Sequence, residues 1–96
     1  MTPFVEGDVR MTAQEIQQRI EASIPGSRAS VEGGEAHFSA VIIAEGFEGK
    51  SRIERHQMIY ALFRVEMASQ AIHALALKTS TPGEWDRVGQ AMEIGS

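Results

Sequence analysis

Three histidines carry most of the chemistry open to this 96-residue chain, because it contains no cysteine. His37 follows Gly33-Gly34 closely, His56 lies in KSRIERHQMIY, and His73 interrupts AIHALALKTS, a run that otherwise reads as a buried strand. Neutral imidazole ligates iron and zinc. No two of the three are three or four residues apart, so no single helix can present a metal-binding pair. His56 falls one turn before Ile59 and two before Phe63, which puts it at the margin of a buried helical face as a packed ring. Taken alone, His73 reads as an ordinary strand-end histidine. If His37 and His73 open two parallel neighbouring strands, however, both stand at the same sheet edge and together offer part of an iron or zinc shell.

Catalytic signatures are missing. There is no Gly-x-Ser-x-Gly, no His-Glu-x-x-His, no Walker-type phosphate loop and no cysteine nucleophile. The carboxylates fall at helix caps or on expected solvent faces, so the chain reads as a non-enzyme. One short pattern points elsewhere: Gly46-Phe-Glu-Gly49 followed by Lys50, Arg52 and Arg55. A Gly-x-x-Gly loop clamps a nucleotide backbone in KH domains, and the three cations can form a basic edge at a helix start. Equally, Phe47 can pack beneath the loop while the glycines permit the turn.

The elements that must position these residues are marked by three capping boxes, Thr12 with Glu15, Ser51 with Glu54 and Thr81 with Glu84. The first helix carries Ile16, Ile20 and Ile24 at helical spacing, with Met11 stapling to Ile16 and Pro25-Gly26 as its stop. The second is expected from Ser51 to about Met67, burying Ile59, Leu62, Phe63 and Met67, with Ile53 and Met58 nearby. The third starts at Thr81 with Trp85, Val88 and Met92 along one face. Between the first two helices, strands over Arg28-ASVE and Ala36-HFSAVIIA flank Gly33-Gly34, read as the tight turn of a hairpin. A third strand over Ala71 to Lys78 returns parallel to a neighbour. The order is αββαβα, an α+β domain with helices packed on a three-stranded mixed sheet. Residues 1–10 are expected to be a flexible extension, 11–88 the domain, and 89–96 the end of the last helix and a tail.

With 43% hydrophobic and 23% charged residues the chain has the composition of one globular domain rather than a disordered segment. Its net charge of −4 supplies no long-range pull toward nucleic acid or anionic membranes, so either would need a local basic patch. It has no membrane span and no signal or transit pattern, and is expected to be cytoplasmic.

Together, His37-Phe38 heading a strand, FEGKSRIERHQMIY from Phe47 to Tyr60, Ile72-His-Ala-Leu75 and Thr81-Pro-Gly-Glu-Trp85 resemble the BolA family over about Met11 to Arg87. The resemblance implies a fold related to class II KH domains, with a helix-turn-helix-like corner at Gly46 to His56. It also implies a partner, a monothiol glutaredoxin with bound glutathione, and a bridging [2Fe–2S] cluster shared with it. His73 corresponds to the recurring histidine ligand of that family. The second ligand comes from the loop joining the first two strands, which here implies His37, as in the shorter-loop bacterial branch; several relatives carry it where this chain has Gly34. Alternatively, the resemblance implies a transcriptional regulator that reads DNA through Gly46, Gly49, Lys50, Arg52 and Arg55. The free chain is expected to be a monomer or weak dimer.

Overall fold

In the computed structural model, which describes residues 11–87, all three capping boxes close in both directions. Each hydroxyl accepts from the third helical amide while the glutamate accepts from the cap's own amide, an arrangement worth about 1 kcal/mol per helix. They start α1 (Ala13–Ser23), α2 (Arg52–Leu62) and α4, helical from residue 82 to the last described residue, 87. Residues 1–10 and 88–96, including Val88, Met92, the proposed extension and the tail, lie outside the described residues.

The strands are β1 (Arg28–Gly34), β2 (His37–Ile43) and β3 (Ala74–Ser80), in the order β1-β2-β3. β1 pairs antiparallel with β2, and β2 parallel with β3 in the register His37↔Ala74 to Ile43↔Ser80. The three-stranded mixed sheet matches the sequence reading. On one face Ala29, Phe38, Ala40, Ile42 and Leu75 join Ile16, Ile20, Ile59 and Phe63 in the core. Burying such side chains contributes roughly 1.5–3 kcal/mol each before entropy is counted.

Three local expectations are corrected. The hairpin turns at Glu35-Ala36, since Gly34 pairs with His37, and both turn residues take positive φ, 54° and 71°. That is the geometry of a type I′ turn, whose twist suits the flanking strands. Gly33 serves another purpose: at φ 122° a Cβ there would lie 2.2 Å from the His37 carbonyl oxygen.

The second helix does not run on to Met67. It stops at Phe63 (φ −120°, ψ 23°), and a separate α3 (Arg64–Ala68) follows. The Leu62 carbonyl, which a continuous helix would use internally, instead accepts from Arg19, whose guanidinium also grips Glu66 at 2.9 and 3.0 Å. The break seats Phe63 with no exposure, while Ile53, expected near the buried face, is 68% exposed.

The third strand begins three residues later than expected. Gln70 adopts positive φ, and the Ile72 amide donates to the Glu66 carbonyl, so pairing with β2 starts at Ala74. His73 therefore precedes the strand. It is exposed and lies outside the paired residues of β3.

Candidate metal centre

Parallel pairing brings the start of β3 beside the start of β2. The carbonyl of turn residue Ala36 accepts from both the His73 amide (2.7 Å) and the Ala74 amide (3.1 Å). His37 and His73 thus flank one backbone junction, with ring centroids 5.6 Å apart and planes at 83°. Both residues are exposed. The His37 Nδ1 lies 3.0 Å from the Glu35 carbonyl oxygen, which can only accept. In the neutral ring this contact puts the proton on Nδ1 and leaves the lone pair on Nε2, the tautomer a metal ligand needs.

Two imidazoles on one tetrahedral ion, with metal–nitrogen bonds of about 2.0–2.1 Å, have their centroids roughly 5 Å apart. The observed pair is close to that separation. Among the described residues no group of three or more His, Cys, Asp or Glu is placed to hold a metal. The two rings could supply at most half of a tetrahedral shell. Such a half matches an iron–sulfur centre in which two histidines hold one iron and sulfur donors come from elsewhere.

His56 takes no part. It is half-buried on α2, its ring edge-on to Tyr60 at 6.4 Å.

At the Gly46–Gly49 corner a 3-10 turn (Glu45–Phe47) drives Phe47 fully into the core. Arg55 lies over its ring at 5.6 Å. The Arg55 Nε donates to the Lys50 carbonyl (3.0 Å), and its two terminal nitrogens reach the Glu84 carboxylate at 2.8 and 3.2 Å. Of the three cations expected to form a basic edge, Lys50 and Arg52 are exposed, whereas Arg55 is turned inward and joins the corner to α4. Spacing gave no warning of this bridge, because its partners are 29 residues apart.

Hydrogen bonds from Arg55, and secondarily from the Thr81 amide, hold the Glu84 carboxyl down at about 2 against an ordinary 4.5. A carboxylate depressed by folding stabilises the native state above its unfolded value. That stabilisation fades as pH falls from about 4.5 toward 2. Urea midpoints measured across that window should decline more shallowly for Glu84→Gln than for the parent chain; superimposable slopes would show that the bridge contributes nothing to acid sensitivity.

The outer edge of β3 is also occupied. Ala74 and Ser80 turn their backbone groups toward β2, so Leu75 and Thr79 turn theirs outward. There the Tyr60 hydroxyl donates to the Leu75 carbonyl at 2.9 Å, and Arg55 approaches that of Thr79 at 3.5 Å. Two side chains thus occupy carbonyls that a foreign strand would need. Among the described residues no helix is long and apolar enough to cross a membrane.

Residues 10–84 match the BolA-like protein family. The acid stress protein IbaG of Escherichia coli is 32% identical over 77 residues, covering 80% of this chain and 92% of the relative. The DNA-binding transcriptional regulator BolA of Haemophilus influenzae is 45% identical over 53 residues, 55% of this chain and 50% of that protein. Among solved structures, a BolA homologue from Coxiella burnetii superimposes with a TM-score of 0.70 at 42% identity, covering 79% of this chain and 97% of its own.

Proposed function

This chain belongs to the BolA family, and on that premise we propose that it is a non-enzymatic adaptor that pairs with a monothiol glutaredoxin and completes a shared [2Fe–2S] cluster. One observation carries the reading: two exposed imidazoles, 5.6 Å apart, mounted on one backbone junction in a chain without thiols. His73 and His37 would hold one iron, while a partner cysteine and glutathione supply the sulfur donors. The cluster would bring one-electron chemistry, with imidazole ligation raising its potential relative to all-thiolate ligation. The chain's own part is to fix ring position through Ala36 and the His37 tautomer through Glu35.

Anaerobic mixing with a monothiol glutaredoxin, glutathione, iron and sulfide tests this. The expected product is a one-to-one complex whose visible circular dichroism differs from that of the glutaredoxin homodimer. His73→Ala should abolish that signature or loosen the complex by tenfold or more, on the order of a lost metal ligand or its support. An unaltered holo-complex would remove His73 from the centre.

A second reading is supported by the Haemophilus influenzae relative, which is named as a DNA-binding regulator, and by exposed Lys50 and Arg52 beside the Gly46–Gly49 loop. DNA affinity would then fall steeply with salt and weaken with Lys50→Ala or Arg52→Ala. Arg55, bound to Glu84, would act by shaping the corner.

A further inference from the structure

At the other end of β3 from the histidines lies a cleft of about 430 Å³ that the metal centre does not use. Arg52 and His56, one turn apart on α2, form one wall; Leu77, Lys78 and Ser80 of β3 form the floor; Trp85 of α4 closes it. Leu77, the lining residue nearest the histidines, is three residues along β3 from Ala74, roughly 10 Å at about 3.3 Å per residue, and neither His37 nor His73 lines the cleft.

Three properties coincide there. First, Arg52 and Lys78 are exposed cations with His56 beside them, and among the described residues no carboxylate lines the cleft, although the chain carries a net charge of −4. On α4, Glu84 is bound to Arg55, and Asp86 lines a different cleft on the other side of Trp85. Second, Trp85 presents a flat ring, 37% exposed. Third, Leu77 lies between Leu75 and Thr79, whose outward carbonyls are taken by Tyr60 and Arg55. Its own N–H and C=O share that outward direction, giving a donor beside an acceptor at the cleft floor.

We propose that this cleft binds a nucleoside phosphate, with the phosphate held by Arg52 and Lys78, the base against Trp85 and the base edge on the Leu77 backbone. An inorganic anion would use only the cations. A bare nucleoside would use only the ring and the strand edge. The volume lies within the range of about 300–1,000 Å³ typical of small-ligand sites.

Trp85 is the sole tryptophan, so it reports on the cleft directly. Adenosine diphosphate, adenosine and pyrophosphate are titrated separately while the indole N–H resonance and inner-filter-corrected fluorescence are followed. Saturable binding of adenosine diphosphate is expected, at least about tenfold tighter than either fragment. Arg52→Ala and Lys78→Ala should each weaken it by about tenfold, as loss of a charge-assisted contact does. Circular dichroism confirms that these surface variants fold, and His73→Ala should leave the titration unchanged. No saturation by low millimolar ligand overturns the proposal, as does equal affinity for either fragment or indifference to both Arg52→Ala and Lys78→Ala. An eight-nucleotide single strand binding a hundredfold tighter than adenosine diphosphate, with a strong salt dependence, also overturns it and assigns the cleft to nucleic acid.

Discussion

Phe47→Ala is expected to remove about 3–5 kcal/mol of folding stability, which for a chain this small approaches the whole margin between folded and unfolded. The ring has no exposure, sits at the end of a one-turn 3-10 segment and lies beneath the Arg55 guanidinium. Its loss leaves a cavity under the corner and loosens the side chain that ties that corner to α4 through Glu84. Gly46→Ala is the matched control: a Cβ there meets nothing within 4 Å, so its effect should stay within about 0.5 kcal/mol. Urea unfolding of both variants decides the matter. If Phe47→Ala cost less than 1 kcal/mol, or Gly46→Ala cost as much as Phe47→Ala, the corner would not be anchored by its aromatic residue.

The second large effect is expected from Gly33→Ala. Its new Cβ would fall 2.2 Å from the His37 carbonyl oxygen and 2.9 Å from the Phe38 Cα, at a φ of 122° that L side chains rarely adopt. Backbone must move, and the backbone nearest is that of a proposed ligand. A loss of about 2–3 kcal/mol is expected from strain at such a position. Changed His37 and His73 ring resonances and weaker cluster assembly should accompany it. Gly34→Ala, with open space around the added carbon and no positive φ, should leave both the resonances and the assembly near those of the parent. If Gly33→Ala leaves the ring resonances unmoved, the two imidazoles do not depend on the hairpin for their placement.

What could be read in the sequence was what local pattern determines. Thr12, Ser51 and Thr81 each declare a helix start through a glutamate three residues on, and that signal needs no knowledge of the rest of the fold. The crossover after helix two marked a third strand parallel to a neighbour, and His37 and His73 meet because that neighbour is β2. Two of the missed features depend on partners distant in the chain. Helix two breaks where Arg19, from a different helix, takes the Leu62 carbonyl. Arg55 belongs by spacing with Lys50 and Arg52, but a carboxylate 29 residues away turns it inward. Gly33-Gly34 looked like the turn because glycine tolerates positive φ; Glu35 and Ala36 adopt it instead, held by strand register and by the two amides on the Ala36 carbonyl.

That shared carbonyl has a mechanical consequence. Because a single oxygen anchors the amides of residues 73 and 74, the hairpin and the third strand are coupled at the point where the imidazoles emerge. Thermal breathing that parted the two backbones would first have to break this forked bond, so the main-chain positions that carry the rings should fluctuate less than unpaired strand ends do. An ion held by both rings would clamp the fork from outside. Deuterium uptake at the residue 73 amide should then slow when the site is filled, reporting occupancy through the backbone.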